Sequence, residues 1–127
     1  MKLQHLFTVN LVFAIFFGLS CAIFPAWVFQ LYGLTGDPGG LWVARLAGGS
    51  ILGFATLMWF GRKAARVEAR RAIALALLVQ DAIGLLASLD FQLTGKVNAF
   101  GWASSALYGL LMVGYAYFLF VRPQASM

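Results

Sequence analysis

The sequence predicts an all-α protein: a four-helix transmembrane bundle made of two helical hairpins, with both ends on the cytoplasmic side. Three observations predict it. Four apolar stretches, residues 6–31, 41–60, 72–90 and 99–121, fill nearly all of the 127-residue chain. Only 10% of the residues are charged, against roughly 25% in soluble domains. The basic residues gather between the second and third stretches, where Arg62, Lys63, Arg66, Arg70 and Arg71 face a single acid, Glu68. Crossing ~30 Å of hydrocarbon takes about 20 helical residues, and each stretch reaches or approaches that length. Backbone groups in lipid must pair internally, which leaves helices or closed barrels. A barrel needs short alternating segments with turns between them, and these runs are long and continuously apolar. A soluble fold of this composition would expose large apolar patches. The chain therefore reads as one integral membrane domain.

The first span begins near Leu6, and Pro25 is expected to kink or end its regular hydrogen bonding. Trp27, Phe29 and Tyr32 form an outer aromatic belt. The segment Thr35-Gly36-Asp37-Pro38-Gly39-Gly40 is the clearest turn signal in the chain. The second span runs from Leu41 to Phe60, with Trp59 and Phe60 at the inner interface. The basic segment 61–71 follows, and its alanines allow helix to continue into the headgroup region. The third span, Ala72 to Asp90, is rich in Ala and Leu, and Leu93-Thr94-Gly95 makes a short outer turn. The fourth span runs from Ala99 to Val121 and is stopped by Arg122-Pro123. A faint repeat is visible as well. Phe29-Gln30-Leu31, Thr35-Gly36 and Trp42 are echoed by Phe91-Gln92-Leu93, Thr94-Gly95 and Trp102. Two hairpins with parallel topology would produce it, as would two outer belts that attract the same residue types.

Charge sets the orientation. Lys2, Arg62, Lys63, Arg66, Arg70, Arg71 and Arg122 fall on one face of the membrane, and only Lys96 falls on the other. This asymmetry places the 61–71 loop and both termini in the cytoplasm, in a bacterial inner membrane. The net charge of +5 is thereby assigned to membrane topology, and nucleic acid is not an expected partner. The expected partners are membrane lipids, with anionic headgroups drawn to Arg62, Lys63, Arg66, Arg70 and Arg71 at roughly 1 kcal/mol per residue. Cys21 is the only cysteine and His5 the only histidine. One thiol forms no internal disulfide or Cys-x-x-Cys pair, which excludes the four-helix quinone-linked thiol oxidoreductases. No two residues have metal-ligand spacing, so neither a metal nor a cofactor is expected. Lys2, an apolar run and Gly18-Leu19-Ser20-Cys21 loosely suggest a lipoprotein signal cleaved before Cys21. The apolar run continues to Trp27 and Phe29, longer than an ordinary signal core, so a retained span is the expectation.

The residues able to carry chemistry are the charges inside spans, where each costs about +2.5 to +3.5 kcal/mol at a helix centre. Arg45 lies one turn into the second span, and Asp81 near the middle of the third. Spacings of three and four put Arg45, Gly49, Gly53 and Thr56 on one face, and Asp81, Gly84 and Ser88 on another. Both faces are small or polar, so both are expected to point into the bundle and meet. With ~1.5 Å per residue, Arg45 lies about 6 Å and Asp81 about 13 Å below the outer boundary, a gap an arginine can span. Asp90 is the competing partner of Arg45. Asn10 and Gln80 complete the ligand- or ion-site candidates, with Gln80 about 100° around the helix from Asp81. A buried Arg–Asp pair can also serve only to fix helix register. Helix packing is expected at Gly49/Gly53, Ala44/Gly48, Gly84 and Gly101/Ser105/Gly109. Tyr108, Tyr115, Tyr117, Phe118 and Phe120 are read mainly as an inner aromatic belt.

Ala44-Arg45-Leu46-Ala47-Gly48-Gly49, followed by Ile51-Leu52-Gly53, together with the length and four spans, resembles the small uncharacterised bacterial membrane proteins of the DoxX-like group. The resemblance implies this architecture and no defined activity. Small multidrug-resistance transporters share the span number but need a Glu in the first helix, and residues 6–31 contain no acid. The chain offers no nucleophile–base pair, His cluster or second Cys for an enzyme. The expected function is a non-enzymatic membrane subunit or scaffold, packed with itself or with a larger partner. The alternative is a small proton-coupled transporter or binder of an apolar or anionic molecule, with Arg45 and Asp81 at its centre.

Overall fold

A computed structural model describes residues 2–121 of the chain. The described residues are helical, with α1 (Leu3–Ile23), α2 (Pro25–Leu31), α3 (Pro38–Gly61), α4 (Val67–Leu93) and α5 (Gly101–Ala116), whose last turn widens into a π-helix over Tyr117–Val121. Four of these helices, with α5 counted through Val121, are long and apolar enough to cross a membrane. Large apolar side chains along all four point outward: Phe16 is 76% exposed, Leu46 53%, Leu86 69% and Leu110 73%. Such a surface is at home against lipid and not against water.

The ends follow from local chemistry. Pro25 lacks an amide hydrogen and tolerates only a first-turn position. Accordingly α1 stops at Ile23, Phe24 leaves helical geometry, and Pro25 opens the short α2. Pro38 opens α3 in the same way, with Asp37 at the N-cap. Half of the turn expected at 35–40 is therefore the first turn of α3. The basic segment divides too: Arg62–Arg66 links the helices, and Val67–Arg71 already belongs to α4. The stop expected at Arg122-Pro123 lies outside the described residues.

The repeat has a structural counterpart in a shifted register. Gly33 and Gly95 both have φ +72°, a left-handed geometry that only glycine adopts cheaply. Leu34 N donates to Phe29 O (2.8 Å) and Gly33 N to Gln30 O (3.1 Å); Lys96 N donates to Phe91 O (2.9 Å) and Gly95 N to Gln92 O (3.2 Å). Both are the same helix-ending motif. Gly33, not Gly36, is thus the equivalent of Gly95, and the shared unit is Phe-Gln-Leu-x-Gly.

The helices pair as two hairpins, α1–α2–α3 and α4–α5. At the α1–α3 crossing the backbones nearly touch. A Cβ on Gly48 would lie 2.6 Å from Ala22 N and 2.7 Å from Gly18 O. Between the hairpins, packing is concentrated at the end that carries the basic link. There Leu3, Phe7, Met58, Leu77, Tyr115 and Phe118 form the heart of one buried cluster. At the opposite end the hairpins are tied by polar groups. Asn98 N donates to Tyr32 O (3.0 Å) and Asn98 Nδ2 to Leu31 O (2.9 Å). The Tyr32 and Ser104 hydroxyls hydrogen-bond to each other, and Tyr32 meets Phe100 edge-on. Between the packed end and the tied end the bundle is open inside.

Candidate functional site

Among the described residues, the one buried acid lies in the open interior. Asp81 lies halfway along α4, about 20 Å from either end at ~1.5 Å per residue. It is 3% exposed, and its Oδ2 has no hydrogen-bond partner in the protein. It lines a cavity of about 70 Å³ together with Asn10 from α1, Met58 from α3, Gln80 from α4 and Tyr108 from α5. All four long helices contribute to the wall. Gly84 admits the Tyr108 ring against α4, where a Cβ would lie 2.5 Å from the ring edge. One turn further toward the basic end, Asn10 Nδ2 donates to Tyr115 Oη (2.8 Å), and Tyr115 Oη donates to Met58 Sδ (3.9 Å). One of the two Asn10 amide N–H groups is thereby used, and its carbonyl oxygen remains as an acceptor. Gln80 and Tyr108 add an amide and a hydroxyl to the wall, and Asp81 is the one acidic group among the lining residues.

The cavity adjoins two larger spaces, with which it shares wall residues. Phe13, Phe17, Ser104 and Leu107 are shared with a groove of about 570 Å³ between α1–α2 and α5. Phe17, Ser104 and Tyr108 are shared with a crevice of about 330 Å³ toward the tied end, beside Cys21 and Ser88. Among the described residues no lysine or arginine lines any of the three.

Three of the four expected site residues, Asn10, Gln80 and Asp81, therefore come together, and Arg45 does not join them. Arg45 is exposed, and its Nη1 donates to Ala22 O (3.1 Å). It pairs neither with Asp81 nor with Asp90, whose own backbone oxygen serves Thr94. The reason is the α1–α3 crossing. Gly48 must face α1 for the backbones to approach, which turns Arg45, Gly49 and Gly53 outward. A Cβ on Gly49 or Gly53 would meet nothing within 4 Å. These two positions do not pack helices inside the protein, contrary to expectation; Gly18 and Gly48 do. Gly84 and Gly101 are close contacts, the latter beside Gln92 and Val97. Ser105 is buried with its Oγ unpartnered, whereas Gly109 has only Leu85, 3.9 Å away.

The basic residues also separate. Arg71 Nη1 donates to Leu119 O (3.3 Å), serving a carbonyl in the wide last turn of the fourth span. Arg62 lies over the Trp59 ring at 4.0 Å. Of the residues in the basic link and the start of α4, Arg62, Arg70 and Arg71 are half-buried, whereas Lys63 and Arg66 are exposed. Among the described residues no three His, Cys, Asp or Glu side chains gather as a metal site. Tyr108 and Tyr115, read from sequence as interfacial, are cavity and core residues. The available signal was their seven-residue spacing on one face of α5, opposite an apolar helix whose lone Asn10 needs a partner. Compared with known proteins, the chain matches no family model, and no curated protein or solved structure is significantly similar to it.

Proposed function

We propose that this small multi-pass membrane protein is a non-enzymatic binder of a small molecule that carries a cationic or hydrogen-bond-donating group. The observation that carries the reading is the Asp81 carboxyl, buried at mid-span, its Oδ2 without a protein partner, in the wall of a small cavity that has no basic residue in its lining. A buried carboxylate is costly when nothing compensates it, and a bound donor supplies the compensation. The anionic ligand class relied on Arg45, which lies outside the cavity, so that class loses its support. The test is binding of n-butylamine to the protein in lipid nanodiscs, compared with Asp81→Asn. Saturable binding to wild type alone supports the reading; equal binding to both, or to neither, overturns it.

A second reading, a membrane subunit, is favoured by one observation. Arg45 sits within a span yet is exposed, beside the open Gly49 and Gly53. A charge toward lipid is costly and small residues admit a close helix, so a partner helix would satisfy both. Cross-linking through Gly53→Cys, in a Cys21→Ala background, tests this. A defined cross-linked species supports it, and monomer alone counts against it.

The orientation belongs to the same proposal. The basic link is placed in the cytoplasm of a bacterial inner membrane on its positive charge, with Lys63 and Arg66 free to meet anionic headgroups. A reporter fused behind Met127 is expected to be active on the cytoplasmic side, and periplasmic activity alone would reverse the assignment.

A further inference from the structure

The groove beside the Asp81 cavity narrows the ligand class. It follows α5 from Phe100 to Leu110, about 15 Å at ~1.5 Å per residue, and is walled opposite by Phe13, Phe16 and Trp27. Its polar side chains are Ser20, Tyr32, Ser104 and the Trp27 indole, and the three hydroxyls each hydrogen-bond within the protein. Ser20 Oγ donates to Phe16 O (2.7 Å), and Tyr32 and Ser104 bond to each other. The groove therefore presents mainly hydrocarbon and no charged group. At its inner end, Phe13, Phe17, Ser104 and Leu107 are also walls of the small cavity that holds Asp81.

A small acidic compartment thus adjoins a long apolar one across shared walls. We propose that the ligand is a single-chain amphiphile, with a compact cationic head at Asp81 and its hydrocarbon chain in the groove between α1–α2 and α5. Three features select this occupant. Among the described residues that line these adjoining spaces, the one charged group is the Asp81 carboxyl, so the head is cationic. The inner cavity is about 70 Å³, so the head is compact, of ammonium and not choline-phosphate size. Asp81 lies near mid-span, about 13 Å inside the outer boundary at ~1.5 Å per residue, so a bulk phospholipid anchored by its headgroup at the interface does not reach it. Such a phospholipid could cover the groove, and it would leave Asp81 unmatched. The inference rests on the proposed binding at Asp81 and adds the chain and its path.

The experiment uses the whole protein in nanodiscs, with Trp42, Trp59 and Trp102 changed to Phe so that Trp27 in the groove wall is the only indole. The probe is ω-bromoundecylamine, whose terminal bromine quenches a nearby indole, and ω-bromoundecanol is the uncharged control. Partition into lipid gives quenching that rises linearly with probe; occupation of the groove gives quenching that saturates. The amine is expected to saturate and the alcohol is not. Asp81→Asn is expected to weaken the amine's half-saturation about tenfold or more, as for a lost charge-assisted hydrogen bond. Ala106→Phe, in the groove wall, is expected to abolish saturable quenching while n-butylamine still binds. If n-butylamine binds through Asp81 but the bromoamine quenches only linearly, the amphiphile inference is wrong and the cavity reading stands. If neither amine binds saturably, both are wrong. If Asp81→Asn does not fold, Ala106→Phe still decides: saturable quenching that survives it places the chain elsewhere.

Discussion

Two adjacent glycines on α3 give the sharpest test of the fold. Gly48 and Gly49 are alike in sequence and differ by about 100° around the helix. A methyl at Gly48 would sit 2.6 Å from Ala22 N and 2.7 Å from Gly18 O, both backbone atoms. No rotamer change relieves a clash with backbone, so the α1–α3 crossing has to open by about 1 Å to restore ordinary contact distances. Overpacking of this kind costs about 1–3 kcal/mol. A methyl at Gly49 meets nothing within 4 Å. Each Gly→Ala change also brings a helix-propensity gain of up to about 1 kcal/mol. That gain is common to both variants and cancels in their difference. Gly48→Ala is therefore expected to be less stable than Gly49→Ala by about 1–3 kcal/mol, or about fivefold to over a hundredfold in the unfolding constant. Reversible unfolding in mixed micelles measures the difference directly. Equal stabilities, or a Gly49 variant that is the weaker of the two, would refute the crossing and restore the inward Gly49/Gly53 face.

Further expectations follow from single contacts. Arg45→Ala and Asp81→Ala are expected to be additive within about 0.3–0.5 kcal/mol in unfolding free energy, because Arg45 bonds Ala22 O and not Asp81; a larger coupling would show that the two meet. Asn10→Ala and Tyr115→Phe are expected to couple by about 0.6–1.5 kcal/mol in the same assay, since Asn10 Nδ2 donates to Tyr115 Oη in a buried setting; additivity would remove that bond from the core. Gly33→Ala and Gly95→Ala should each lose about 1–2 kcal/mol from the left-handed conformation both adopt. Gly33→Ala should lose more, because its methyl also meets Asn98 Cβ at 3.3 Å and Gly95 faces open space; the reverse order in thermal unfolding would contradict the tie at that end.

The four spans were legible because a bilayer asks for long uncharged runs, and Pro25 and Pro38 marked helix starts through the missing amide hydrogen. The rotation of each helix was much less legible. In water an apolar stripe marks the buried face, but lipid and core are equally apolar, so the contrast fades. On α3 only small residues were left as a guide, and two small-residue stripes, Ala44/Gly48 and Arg45/Gly49/Gly53, run side by side. Assigning the charged stripe to the interior turned the helix by one residue and created the Arg45–Asp81 pair that the structure lacks. Asp81, Gln80 and Asn10 were found because a polar side chain inside a span is conspicuous whichever way the helix is turned. Tyr108 and Tyr115 were missed because a tyrosine suits an interfacial belt as well as a core. The Phe-Gln-Leu-x-Gly repeat was half visible: the residues were noticed, and only the backbone angle at Gly33 corrected the register.

The division between a packed end and an open middle bears on why a carboxyl persists at mid-span. The buried cluster around Phe7, Met58, Tyr115 and Phe118 lies toward the basic end, whereas Asp81 borders the cavity. A residue kept for packing or register should weaken the fold when it is changed. A residue kept for a ligand should not, since in the free protein it is a cost that nothing offsets. Asp81→Asn keeps the shape and removes the charge. Its Oδ2 has no protein donor to lose, so the substitution is expected to leave unfolding stability unchanged or to raise it by about 1–3 kcal/mol, the range for relieving an unsatisfied buried polar group. A loss of that size would mean that the carboxyl holds helices together, and the binding proposal would lose its main support. The comparison with Tyr115→Phe sharpens the point. Tyr115 is fully buried in the packed end and accepts from Asn10, so that variant should weaken the fold without weakening amine binding. Opposite responses of the two variants, one losing binding and the other losing stability, are what separate a site from a core in a protein whose interior and surroundings share one chemistry.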